Sequence, residues 1–167
     1  GGVVNLAAAI ASRSSVTVSG RDAVTVAPGT TIATGQFAGF SANATAAGGS
    51  LTIGAGAAVS SNGASLGADN MNIQGTVNAG SGPLTVAPRT SGREINVGTE
   101  SGSALSLTQS ELANLLTTGT LSLGSFAAGP ITVTSPIVGD LAAVVNVTSA
   151  TSYTQNAAVT LTGQLSI

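Results

Sequence analysis

Apolar residues recur along the chain in short triplets around one small polar residue. Val16-Thr17-Val18, Val24-Thr25-Val26, Leu51-Thr52-Ile53, Met71-Asn72-Ile73, Leu84-Thr85-Val86 and Ile95-Asn96-Val97 are followed by Leu105-Ser106-Leu107, Leu121-Ser122-Leu123, Ile131-Thr132-Val133, Val145-Asn146-Val147, Val159-Thr160-Leu161 and Leu165-Ser166-Ile167. Strict alternation with period two predicts half-buried strands, the flanking residues inside and the middle Thr, Asn or Ser in solvent. Turn-forming stretches such as Ala27-Pro28-Gly29, Ser81-Gly82-Pro83 and Ala128-Gly129-Pro130 bound the triplets, so the strands are short. Strands in open sheets and sandwiches run to about five or six residues. Shorter ones make sense as steps in a ladder of like strands.

The spacing suggests such a ladder. Starts at Val24, Leu51, Met71, Ile95, Leu121 and Val145 form one series, and Val59, Leu84, Leu105, Ile131 and Val159 a second. Each has a period of about two dozen residues, which fits a solenoid coil with two or three strands and loops that absorb the variation. Like residues then stack about 4.8 Å apart, giving each small side chain a similar neighbour above and below.

One segment breaks the alternation. In Thr108-Gln109-Ser110-Glu111-Leu112-Ala113-Asn114-Leu115-Leu116 the leucines fall at i, i+3 and i+4, and Thr108 with Glu111 reads as a capping box. A short helix of about two turns is predicted near 109–117, with Gly119 as its stop. Ala7-Ala8-Ala9-Ile10-Ala11 is a weaker helix candidate that could equally cover a solenoid end.

Composition narrows the chemistry. Of 167 residues, 4 are Arg and none Lys, 6 are Asp or Glu, and there is no His or Cys. A net charge of −2 cannot supply a phosphate-neutralising stripe, so no nucleic-acid partner is expected. No run approaches the roughly 20 apolar residues of a spanning helix, so no membrane insertion is expected. Without His or Cys, imidazole bases, thiolate nucleophiles and most transition-metal sites drop out, and no cofactor is expected. The low charge and 43% hydrophobic content argue against disorder. The start, Gly1-Gly2-Val3-Val4, has neither Met nor a basic leader and reads as a mature or cut segment.

Gly92-Arg93-Glu94-Ile95-Asn96-Val97-Gly98, Leu105-Ser106-Leu107-Thr108, Glu111-Leu112, Gly119-Thr120-Leu121-Ser122-Leu123-Gly124-Ser125 and Gly129-Pro130-Ile131-Thr132-Val133 carry a family likeness. Together they resemble the repeat region of bacterial exoproteins of the filamentous-haemagglutinin type, most clearly over residues 83–138. The resemblance implies a right-handed parallel β-helix and a structural or adhesive rod in a secreted or cell-surface fibre. It also implies a surface receptor or glycan as partner. The expectation is thus one all-β segment over 1–167, about six coils long, within a larger secreted chain. The alternative is a self-assembling filament subunit joined end to end. Its assembly edge would be Leu165, Ser166 and Ile167, a strand triplet with an exposed edge.

Enzymatic and ice-binding readings fare worse. Polysaccharide cleavage needs paired carboxylates in a cleft, and only Glu94 and Glu100, with Arg89 and Arg93, share a neighbourhood in sequence. A surface Arg–Glu pair is the plainer reading, and no catalytic residue is assigned. Gly67-Ala68-Asp69-Asn70 reads as a turn rather than a metal site. The outward Thr17, Thr25, Thr52, Thr85, Thr132 and Thr160 could order water, but the ladder is single-file and mixed with Asn and Ser. The sequons Asn43-Ala44-Thr45 and Asn146-Val147-Thr148 are read as chance matches.

Overall fold

The inward flanks of the triplets are where the chain meets itself. The computed structural model describes residues 2–43 and 48–167 and is all-β, 51% strand and 3% helix, with parallel sheets. The first strands are β1 (Val3–Leu6), β2 (Ile10–Ser12) and β3 (Val16–Gly20). The next three, β4 (Ala23–Val26), β5 (Thr31–Thr34) and β6 (Ala38–Ala42), pair with them in the same order. So do β7 (Ser50–Ile53), β8 (Ala58–Ser60) and β9 (Ala64–Gly67), then β10 (Asn70–Ile73), β11 (Thr76–Asn78) and β12 (Leu84–Ala87). Each of β1–β9 thus pairs with the third strand after it, an arrangement consistent with a β-solenoid.

The register stacks like on like. Val4, Val24, Leu51 and Met71 form one inward row, and Ile10, Ile32, Val59, Val77 and Leu115 another. A third runs through Val18, Phe40, Leu66, Val86, Leu123 and Val147. Each fully buried Leu, Ile or Val in such a row contributes about 1.5–3 kcal/mol of hydrophobic stabilisation. Between the turns the backbone stacks as well: Gly29 N–H donates to Ala55 C=O at 3.1 Å. Gly29 has a φ of +71°, which the position after Pro28 requires in a tight turn.

The regular order is interrupted after β12. Strands β13 (Ile95–Gly98) and β14 (Leu105–Thr108) lie side by side and parallel, joined only by residues 99–104. The chain then enters α1 (Gln109–Ala113), β15 (Leu115–Leu116) and β16 (Thr120–Gly124). Order resumes with β17 (Ile131–Val133), β18 (Ile137–Gly139) and β19 (Val144–Thr148), then β20 (Tyr153–Gln155), β21 (Val159–Leu161) and β22 (Gln164–Ser166). The resulting sheets are β1-β4-β7-β10, β2-β5-β8-β11-β15, a seven-stranded β3-β6-β9-β12-β16-β19-β22, β14-β13-β17-β20 and the pair β18-β21. Only the seven-stranded sheet runs past the interruption unbroken. At the end of its strand β16, Gly124 has a φ of +87°, and a Cβ there would strike the Thr148 carbonyl of the next strand.

Several expectations change. The triplets all lie in strands, with Ile167 just beyond β22. The two spacing series, however, mix sheets: Leu121 and Val145 belong with Leu84, not with Val24. The helix is shorter than predicted. Its capping box is present, but it ends at Ala113, with Asn114 as C-cap and Leu115 already paired with Val77 in β15. Gly119 is therefore not its stop. Residues 7–11 are not helical, since Ile10 begins β2. Ser106, expected in solvent, is 4% exposed because the 99–104 link folds over it, Ser101 N–H donating to its Oγ at 2.8 Å.

Candidate functional site

The polar groups of this chain gather around the interruption. Asp69, just before β10, is fully buried. Its Oδ1 accepts the backbone N–H groups of Arg89 at 2.9 Å and Thr90 at 2.8 Å, and its Oδ2 accepts the Thr90 hydroxyl at 2.5 Å. Burial alone would raise its pKa, but these hydrogen bonds and the Arg93 guanidinium outweigh it and hold the carboxyl below its ordinary value. Arg93 Nη2 donates to the Asp69 carbonyl at 3.3 Å and to Asn70 Oδ1 at 3.1 Å. Arg89 Nε donates to Asn43 Oδ1 at 2.7 Å, and Asn43 Nδ2 to Ser19 Oγ at 2.7 Å. The cluster ties the loop after β12 to the start of β10.

A second cluster surrounds α1. Glu111, 7% exposed, accepts the Ile73 N–H on Oε1 at 3.1 Å, and the Thr108 N–H and hydroxyl on Oε2 at 2.9 Å each. Asn114 Nδ2 donates to the Ile73 carbonyl at 2.9 Å. On the other side Gln109 Nε2 donates to the Val138 carbonyl, and its Oε1 accepts the Val138 N–H, both at 2.9 Å. These side chains satisfy strand-edge backbone groups where the ladder has no strand to offer.

Glu100 lies in the link over this second cluster. Loss of part of its hydration, with the charge of neighbouring Glu111, pushes its pKa up. An acid with a raised folded-state pKa stabilises the fold while protonated, and that contribution is lost as pH rises through the folded pKa. Glu100→Gln should therefore flatten the fall in melting temperature on going from pH 4 to pH 7. An unchanged slope would mean that neither lost hydration nor Glu111 raises the Glu100 pKa.

The residues singled out from sequence thus part company. Glu94 is exposed, Arg89 and Arg93 turn to Asn43, Asp69 and Asn70, and Glu100 lies beside Glu111 instead of beside Glu94. The expected Arg–Glu pair does not form. The ion pair seen among the described residues joins exposed Arg21 and Asp22 at 3.8 Å, a contact worth little. The Asp69–Asn70 turn proves to be an anchoring point, which sequence reasoning missed because its partners Arg89 and Thr90 lie 20 and 21 residues further along the chain. Of the first sequon, Ala44 and Thr45 lie outside the described residues, while Asn43 is held by Arg89 and Ser19. Among the described residues no three His, Cys, Asp or Glu converge as metal ligands would.

At the far end, β22 pairs on one edge with β19, Leu165 opposite Val145 and Ser166 opposite Asn146. Leu165 is half-buried, Ser166 exposed and Ile167 69% exposed. Val159 and Leu161 of β21 are likewise only half-buried, as are Val4, Leu6, Ile10 and Val18 in β1–β3. Nearby, Phe126, 90% exposed, flanks an open groove of about 440 Å³ with Asn146, Ser149, Thr151 and Tyr153. Among the described residues no helix is long and apolar enough to cross a membrane. Comparison with known family models, curated proteins and solved structures gives no match.

Proposed function

We propose that the chain is a rod segment of a right-handed parallel β-helix in a bacterial secreted or cell-surface fibre, with a structural or adhesive role and no catalytic one. The observation that carries the reading is the repeat of strand order itself: three strands, then three more in register on them, with inward rows left half-covered at both outer steps. Such rows are completed by a further coil of like geometry. The third sheet contributes seven strands. Its outward row of Thr17, Gly39, Ser65, Thr85, Ser122, Asn146 and Ser166 is small and uncharged, which suits a rigid surface. A receptor or glycan on such a surface would be met through hydroxyl, amide and aromatic groups rather than ion pairs.

Who supplies the further coil separates the two versions of this reading. In a long fibre chain it is neighbouring sequence; in a filament subunit it is a second copy, the edge at Leu165, Ser166 and Ile167 meeting β1–β3. Sedimentation of residues 1–167 at tens of micromolar (roughly the range in which exposed strand edges associate) is the test. Association is expected, and Leu165→Lys with Ile167→Lys should suppress it while a β-type circular dichroism spectrum is kept. Monomers at all concentrations would remove the filament version. A largely helical spectrum would remove both.

A further inference from the structure

The strand register is not equally deep at every step. From β7–β9 to β10–β12 the pairs share four, three and four positions. From β10–β12 to the layer that contains β14, β15 and β16, β11 shares two positions with β15 and β12 three with β16. Between β10 and β14 no ladder forms at all, since the two lie in different sheets. There Ile73 is held instead by side chains of α1 and its C-cap, through Glu111 Oε1 and Asn114 Nδ2. One step further on, β15 and β18 also lie in different sheets, and the edge of β18 is closed by the Gln109 amide.

Both breaks therefore fall on one helix. A side-chain clamp has rotamer freedom that a backbone ladder lacks, and it closes one residue where a ladder closes several. Local opening in folded proteins follows such differences, with contiguous units opening below the global free energy.

We propose that the step between β10–β12 and β14–β16 is a joint at which the rod opens locally while the coils on either side stay folded, with Glu111 and Asn114 as its clasp. The inference rests on register and hydrogen bonding and holds whether or not the chain belongs to a surface fibre. A rod with such a joint beside α1 bends and yields under load there, and the 99–104 link lies directly over it.

Amide hydrogen exchange on the intact 167-residue chain tests this within one sheet. The Val77 and Ala79 N–H groups bond across the joint to Asn114 and Leu116 carbonyls, at 2.9 and 2.8 Å. Those of Ala58 and Thr76 bond across interior steps to Thr30 and Ala57, both at 2.9 Å. In the wild type Val77 and Ala79 should exchange at least about tenfold faster than Ala58 and Thr76, given the spread of local opening free energies in folded proteins. Asn114→Ala should speed Val77 and Ala79 by roughly another tenfold, the factor for one net hydrogen bond, and leave Ala58 and Thr76 unchanged. Gln109→Ala should speed Val138 alone. Equal protection of the two pairs in the wild type would overturn the joint, a measurement that does not depend on any variant folding. A uniform rise across all four amides in Asn114→Ala would overturn the clasp.

Discussion

Phe40→Ala should lower the unfolding free energy by about 3–5 kcal/mol, the usual cost of emptying a phenylalanine site in a packed core. Phe40 is 1% exposed and stands in the row Val18-Phe40-Leu66-Val86-Leu123-Val147. The neighbours above and below are smaller, and their positions are set by backbone pairing, so they cannot move in to fill the space. Phe37 offers no relief, as it lies on the other side of the sheet against Gly39 and Gly63. In a ladder of parallel strands stacked step on step, a void in one strand loosens contacts to the strands on both sides. Urea titration should give a lower midpoint with an unchanged slope, because the surface exposed on unfolding hardly alters. Phe126, 90% exposed, is the control: Phe126→Ala should stay within about 0.5 kcal/mol of wild type. Equal losses for the two variants would contradict the inward placement of the Phe40 row.

That row also shows what could be read from the chain and what could not. Val16-Thr17-Val18 and Leu84-Thr85-Val86 announce themselves because large apolar residues flank a polar one. Ala38–Ala42 and Ala64–Gly67 belong to the same sheet, yet their inward positions include Ala38 and Ala64, too small to mark a period. Strands with a single large inward residue, such as Thr76–Asn78, escape for the same reason. Spacing alone could not assign strands to sheets, because β13 and β14 lie side by side on one face while loops of different length carry the chain between faces. The capping box at Thr108 and Glu111 was legible because it is local. The helix was read too long because Leu112, Leu115 and Leu116 fit one helical stripe, although Leu115 enters a strand. A residue's partners far along the chain are the least legible of all: nothing near Asp69 in sequence points to Thr90.

Asp69 carries the second large expected effect. Asp69→Ala leaves the Arg89 and Thr90 N–H groups and the Thr90 hydroxyl without their acceptor. With donors in a partly buried loop, each costing about 1–3 kcal/mol when left unmade and partly rescued by water, the net loss should be about 2–4 kcal/mol. Asp69→Asn separates geometry from charge, since its carbonyl oxygen can still take the two backbone N–H groups while its amide cannot accept the Thr90 hydroxyl. Acidification distinguishes them further. The Asp69 carboxyl is held below its ordinary value of 3.8, so its contribution is present above that pH and is lost as pH falls through the lowered folded-state pKa. Glu100 runs the other way, since its protonation as pH falls relieves both its lost hydration and the repulsion from Glu111. In a Glu100→Gln background, where that gain is gone, the urea midpoint should drop between pH 4 and pH 2. Adding Asp69→Asn should remove most of the drop, because the amide does not titrate. If the double variant were as acid-labile as Glu100→Gln alone, the carboxylate that anchors the loop after β12 would have to be assigned elsewhere.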